Sequence, residues 1–360
     1  MKQSMGFNDF MIPHNRPLIT SEDRHAVDLV LSSSWISQGP ITATLEEKFV
    51  QLYSGGAACA LSSGTAALFL TLKSLGCTTK NTVAMPTYAC SALLNAVNMV
   101  GATPKIIDVL PDTFCIDPEA LKSQGQNPDY VIAVHTYGAI AEIEALQNQG
   151  CRIIEDCCQS IGGANAEELL GQKGDAAIFS FYATKVITGG QGGLIWSEDK
   201  AVIETVKDYR EFDCRENYLP RFNLQMTDIQ AGLINSQMSR LKDIRERRQY
   251  IAKIYLDALP DGLAVQAGLA DAGRMAHRFV VIAPDLTTRD ALKQYLESSG
   301  ISSAVPIERY ELLHRYLKLD KNNYPIAERL VDTTLSLPVY PGMTDIEVNK
   351  IALSLKEFKI

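Results

Sequence analysis

Three short stretches carry side chains whose types and spacing could do chemistry. In FSFYATKVITGGQGG, residues 179–193, Lys185 stands alone between apolar runs, with Ser180 before it and Gly189, Gly190, Gly192 and Gly193 after it. An amine at a partly desolvated strand end has a lowered pKa, because burial disfavours the charged form, and the neutral amine attacks carbonyls. In IIEDCCQS, residues 153–160, Asp156 and Gln159 follow an apolar run. A carboxylate there can hold a proton on a heterocyclic nitrogen while the amide donates to a nearby oxygen. In LSSGTAAL, residues 61–68, Ser62, Ser63, Gly64 and Thr65 lead straight into a helical pattern. Free N–H groups at a helix N-terminus, a glycine that admits close approach and hydroxyl donors together make a phosphate site.

Each stretch taken singly has a plainer reading. A turn rich in Gly, Ser and Thr can serve only to turn and cap. A carboxylate after a buried strand can cap the next turn, and a single lysine can lie along the surface. Their combination is more specific. Phosphate donors, a carboxylate for a ring nitrogen and a Schiff-base lysine, in that order on successive strand ends, are the parts needed to hold pyridoxal phosphate.

The elements that must position them follow from the apolar pattern. Short β-forming runs lie at 57–61, 82–85, 104–109, 130–134, 151–155, 176–181 and 192–196, most bounded by Gly, Pro, Asn or Asp. Helical stretches follow the first, second and fourth, which implies βαβ crossovers and a largely parallel sheet covered on both faces. The last two runs leave no room for a crossover helix, so one neighbouring pair is expected to be antiparallel. In open α/β sheets ligands gather outside the carboxyl ends of the parallel strands, where all three stretches would lie. Two helices precede the first strand, at 21–33 and 43–53, the first opened by Thr20 or Ser21. Beyond residue 200 the pattern turns to long amphipathic helices, read as one helix over 228–259, then a smaller α+β set. The expected division is a large domain over 1–240 and a small C-terminal α/β domain over 241–360.

Composition limits the function classes. The chain has 360 residues, 46% hydrophobic and 21% charged, enough for one large core and a smaller second one. A net charge of −8 and a pI near 5.3 argue against nucleic acid or an anionic membrane as partner. The eight cysteines include no CxxC pair, and no His-rich segment of zinc-site spacing accompanies them, so no metal is expected. They read as reduced, mostly buried thiols. The opening MKQSMGFNDFMIPHNRP lacks the apolar core of a signal peptide, and no segment is long enough to span a bilayer, so residence in the cytoplasm is expected.

The motifs SSGTAAL, PTYACSALLNAV, VHTYG, IEDCCQSIGG, FSFYATKVITGGQGG, RFNLQMTDIQAGL and TLSLPVYP, with the opening IPHNRPLI and WISQGP, resemble the successive signatures of the DegT/DnrJ/EryC1/StrS family of sugar aminotransferases. They occur in family order over nearly the whole chain. The resemblance implies the fold of type I pyridoxal-phosphate-dependent transferases: a large domain with a seven-stranded, mostly parallel sheet and a small C-terminal α/β domain.

It also implies roles residue by residue. Lys185 would form the Schiff base with the cofactor and then shuttle the substrate proton. Asp156 would pair with the pyridinium nitrogen and Gln159 with the phenolic oxygen. Gly64, Thr65 and Ser180 would bind the phosphate, and Tyr88 would stack on the ring. Asn223 would reach the phosphate of a neighbouring subunit, so a homodimer with shared active sites is implied. Without the family, Tyr88 reads as a core aromatic and Asn223 as a helix cap.

The implied reaction takes an amino group from L-glutamate to a nucleotide-linked keto sugar, at C4 of a 4-keto-6-deoxyhexose, by a ping-pong mechanism. C3-specific and cyclitol aminotransferases share these motifs. The dehydratases of the family replace the lysine with histidine, and a noncatalytic regulator would be expected to lose the lysine or the aspartate; Lys185 and Asp156 argue against both. Three positions depart from the family pattern. Ala183 replaces a common proline, Gln191 a common glutamate and Gln225 a common arginine. The last two remove charge near the substrate mouth, where Arg221 offers a substitute cation.

Overall fold

The computed structural model describes residues 11–165, 168–269, 271 and 273–360. The first ten residues of the opening stretch lie outside these. The main sheet contains β1 (Ala57–Leu61), β2 (Thr82–Pro86), β3 (Thr103–Ile107), β4 (Tyr130–Val134) and β5 (Arg152–Asp156). After the short hairpin of β6 (Ala164–Asn165) and β7 (Glu168–Leu169), it is completed by β8 (Ala176–Ser180) and β9 (Gly193–Ser197). Its seven strands run in the order β1-β9-β8-β5-β4-β2-β3. β9 pairs antiparallel with both β8 and β1, and the remaining pairs are parallel, so β9 alone runs against the other six. The carboxyl ends of β1, β4, β5 and β8 therefore share one edge.

β8 illustrates why this sequence makes a doubly covered strand. Ala176 and Ile178 pack into one hydrophobic core, Ala177 and Phe179 into another, as a period of two requires. Helices supply the covering layers. α1 (Ser21–Ser33) and α2 (Pro40–Leu52) precede β1; α3 (Gly64–Ser74), α4 (Ala92–Val100), α5 (Pro118–Ser123) and α6 (Ile143–Gln147) follow the early strands; α7 (Lys200–Arg210) follows β9. Thr20 caps α1 in a reciprocal box with Asp23.

The single helix expected over 228–259 is two: α8 (Asp228–Met238) and α9 (Leu241–Leu256). Arg240 leaves helical geometry at φ −113°, ψ 15°, and its guanidinium meets the buried Asp23 of α1 at 2.6 Å. α8 lies against α1 and α2, whereas Ile251, Ala252 and Tyr255 of α9 enter a separate core with the C-terminal elements. There β10 (Ala264–Val265), β11 (Phe279–Ile282) and β12 (Thr334–Leu337) form an antiparallel sheet. α10 (Leu286–Ser298) and α13 (Asp345–Glu357) share its core, whereas α11 (Leu313–Tyr316) and α12 (Pro325–Thr333) bury Leu313, Ala327 and Val331 in the main core. Val280, Leu312 and Leu330 reach back into the main core, which brings the C-terminal part over the sheet edge. Among the described residues, no helix is long and apolar enough to cross a membrane, and no cluster of His, Cys, Asp and Glu could hold a metal.

Candidate active site

A cavity of about 430 Å³ opens at the shared carboxyl edge. Gly64, Thr65, Asp156, Gln159, Ser180 and Lys185 all line it, together with Tyr137, Gln191, His277, Arg278 and Glu311. Residues drawn from four strand ends thus meet in one place.

The phosphate end is built where β1 runs into α3. Ser63 is the N-cap, its hydroxyl accepting the Ala66 N–H at 3.1 Å, and the helix presents first-turn N–H groups that no helix carbonyl accepts. A Cβ on Gly64 would stand 3.0 Å from Ser180 Cβ and 3.3 Å from its Oγ, so glycine is what lets the Ser180 hydroxyl come this close. The glycines after Lys185 serve the same edge. A Cβ on Gly193 would lie 2.1 Å from the Ser63 carbonyl oxygen, so only glycine lets β9 pass beside the cap of α3.

Asp156 ends β5 and is 5% exposed. One oxygen accepts the Cys158 N–H at 2.9 Å, so it does cap the following turn. Among the described residues no cation lies within ion-pair distance of the carboxylate, which leaves its other oxygen for the cavity. Gln159 is oriented by chemistry: its Oε1 accepts the Tyr137 N–H at 2.7 Å, which turns its NH₂ into the available donor. Lys185 is half-buried on a loop fastened from α8, where Gln237 accepts the Thr188 N–H at 3.0 Å and donates to the Thr188 carbonyl at 2.8 Å. Val186 and Ile187 are buried beside it.

Behind the site, Glu155 accepts four hydrogen bonds: from His135 Nε2 at 2.9 Å and from the N–H groups of Gly171 (3.0 Å), Lys173 (2.8 Å) and Gly174 (2.6 Å). His135 Nδ1 accepts the Ala141 N–H, so its proton sits on Nε2. Burial alone would raise the Glu155 pKa, but the His135 bond and these backbone donors outweigh it and hold the carboxyl below its ordinary 4.5. A depressed carboxylate contributes stability that is fully present above the ordinary value and is lost as pH falls below it and through the lower value of the folded state. Glu155→Gln places an NH₂ against two donors, so we expect a loss of about 2–4 kcal/mol in thermal unfolding. Below pH 4.5 the gap from wild type should narrow.

Two expectations need correction. Tyr88 borders the cavity but is 0% exposed. Its ring packs edge-on against Phe114 and Tyr137, and its hydroxyl meets Thr334 Oγ1 at 3.1 Å. It is a core aromatic here and has no free face to lay on a ring, while Cys90, two residues on, is exposed and lines the cavity. Arg221 does not replace the missing cation either. Its guanidinium is held by Asp208 at 3.1 Å and by Asn217 at 2.8 Å. Asn223 is exposed and off this cavity, and the cap of α8 is Thr227 instead. Sequence reasoning missed Arg278; a charge just ahead of the apolar run FVVIA was the available signal.

A buried, unpaired carboxylate, an amide aimed as a donor, a glycine-and-serine cradle at a helix N-terminus and a nearby lysine fit the chemistry of pyridoxal phosphate, group for group.

Comparison with known proteins gives the family. Residues 17–356 match the model of the DegT/DnrJ/EryC1/StrS aminotransferase family. The spore coat polysaccharide biosynthesis protein SpsC of Bacillus subtilis is 28% identical, over 96% of this chain and 96% of its own. Spr1654 of Streptococcus pneumoniae, solved in PLP and PMP forms, is 25% identical; its PLP form superposes with a TM-score of 0.89, over 96% of this chain and 98% of that one. The aminotransferase TlmJ of Streptoalloteichus hindustanus is also 25% identical, with a TM-score of 0.87 over 96% and 98% of the two chains. The chain belongs to the DegT/DnrJ/EryC1/StrS aminotransferase family.

Proposed function

We propose that this sugar aminotransferase moves the amino group of L-glutamate to a keto sugar carried on a nucleoside diphosphate, at C4 of a 4-keto-6-deoxyhexose, in two successive half-reactions. Its cofactor is pyridoxal phosphate. The observation that carries the reading is the convergence of Lys185, Asp156, Gln159, Ser180 and the N-terminus of α3 on one cavity.

In this reading Gly64 and Thr65, with the Ser180 hydroxyl, bind the cofactor phosphate through donors and the helix dipole. Asp156 would hold the proton on the ring nitrogen, and the Gln159 amide would donate to the phenolic oxygen. When bound, pyridoxal phosphate supplies an aldehyde that accepts an amino group and a ring that delocalises the electron pair left when a substrate carbon loses its proton. Lys185 Nζ would hold that aldehyde and, as a free amine, would take the proton from the donor α-carbon as general base. Pro306, Ile307 and Tyr316 wall the cavity on the C-terminal side.

A second copy of the chain completes the site in this account, with Asn223 reaching the partner's phosphate. The exposed position of Asn223 supports this, as does the apolar surface at Leu29, Leu31, Trp35 and Ile36, where Trp35 is 59% exposed. The acidic chain without a membrane-spanning helix among its described residues suits a cytoplasmic enzyme acting on small molecules.

The test is isotope transfer. Enzyme is incubated with ¹⁵N-glutamate and a panel of nucleotide-linked 3-keto and 4-keto sugars, and products are read by mass. Label is expected in a 4-amino sugar nucleotide; label only in a 3-amino sugar, or only in an aminocyclitol when ketocyclitols are added, contradicts the C4 reading.

A further inference from the structure

Gln225 stands where relatives of the family were expected to carry arginine, and Arg221 is tied to Asp208 and Asn217. The cation that remains at the mouth is Arg278. It immediately precedes β11, half-buried, and it lines both the main cavity and an adjoining one of about 50 Å³ shared with His14, Asn15, Thr184 and His277. Its guanidinium lies over the Tyr137 ring, 5.3 Å from the centroid, which fixes its plane. Among the described residues no carboxylate lies within ion-pair distance of it, and none of its N–H groups is bonded. Glu311 lines the same cavity, but its carboxylate accepts the Glu308 N–H at 2.8 Å.

A second group nearby is also unsatisfied: His277 Nδ1 is buried without a hydrogen-bond partner. Burial, then the charges of Lys185 and Arg278, push the His277 pKa well below the ordinary imidazole range, so the ring is neutral. His14, 2.9 Å from Ser336 Oγ, is likewise held neutral by burial and by Arg278, with its pKa lowered to about 4. Arg278 is thus the cation this wall keeps for a substrate. A planar fork of five donors, half-desolvated and without an acceptor, matches a carboxylate.

Two substrate anions could claim it, the carboxylate of the amino donor and the diphosphate of the sugar nucleotide. Proximity to Lys185 separates them. In an amino acid the α-carboxylate is attached to the carbon that bears the reacting nitrogen, whereas the diphosphate leaves the sugar across the ring from the carbon that is aminated. Thr184, next to Lys185, lines both cavities with Arg278, which puts the guanidinium on the lysine side. We propose that Arg278 binds the α-carboxylate of the amino-acid donor as a bidentate pair, an inference that rests on the aminotransferase reading above.

The experiment follows the donor half-reaction of holoenzyme with L-glutamate and no acceptor, as loss of the visible band of the lysine-bound cofactor. In R278Q the glutamate concentration for half-maximal rate should rise about tenfold or more, with R278K in between, while the maximal rate and the resting band change less. Binding of free nucleoside diphosphates, tested with UDP, dTDP and GDP, should stay within twofold of wild type. Should R278Q fail to accumulate as holoenzyme, R278K carries the comparison, with a rise of several-fold expected. Glutamate dependence within twofold of wild type, or weakened diphosphate binding with unchanged glutamate dependence, overturns the proposal. A wild-type band indifferent to glutamate but bleached by glutamine overturns the donor reading alone. R278Q is then compared on glutamine, which carries the same α-carboxylate, and the same limits apply.

Discussion

Replacing Lys185 with alanine is expected to lower turnover by about 10⁴-fold, the upper range for a positioned proton-transfer group, and to remove the visible band of the lysine-bound cofactor. Folding should survive. The lysine ammonium makes no hydrogen bond or ion pair among the described residues, while its loop is held independently by Gln237 on Thr188 and by buried Val186 and Ile187. A thermal melt close to wild type, together with lost turnover, separates a chemical role from a structural one. An active Lys185→Ala enzyme would remove the basis for the mechanism.

Asp156→Asn should cost roughly 10²–10³-fold in turnover, the loss that follows when one partner of a buried charge pair is neutralised. The substitution is sterically mild. An asparagine oxygen can still accept the Cys158 N–H that Asp156 accepts at 2.9 Å, so the turn after β5 should persist. What changes is the other position, where an NH₂ donor would face the protonated ring nitrogen. Weaker cofactor retention and slow turnover are expected from the same protein whose melting curve is little altered. Rates near wild type would mean that the ring nitrogen is held elsewhere.

Much of this architecture was legible because the large sheet is buried on both faces. Runs such as YVIAV and AAIF are apolar throughout and bounded by polar residues, so strand positions followed, and the chain between the last two left no space for a crossover, as the antiparallel β8–β9 pair bears out. Strand ends then located Lys185, Asp156, Gln159, Ser180 and Gly64 on one edge before any contact was known.

The misses share a cause, since each depends on a partner distant in sequence. The break between α8 and α9 is invisible in SQMSRLKDIRE, whose periodicity continues through it; it accompanies the Arg240 contact with Asp23 and lets α9 pass from the core it shares with α8, at Leu241 and Ile244, into the C-terminal core at Ile251 and Tyr255. Tyr88 and Cys90 lie on the same short turn, and only packing against Phe114, Tyr137 and Thr334 decides that the tyrosine goes inward. Arg221 looked free until Asp208, on α7, proved to hold it. Arg278 was hidden in the reverse sense: a charge at the edge of an apolar strand reads as a surface position, whereas here it lines the cavity.

The central claim is that Lys185 and its neighbours hold a carbonyl cofactor that takes an amino group from glutamate. The absorption spectrum of the purified protein, reconstituted with pyridoxal phosphate and recorded before and after L-glutamate, tests it most directly. A visible band that bleaches to the near-ultraviolet absorption of the aminated cofactor is the predicted result. No band after reconstitution, or a band unchanged by any amino acid, would contradict the account.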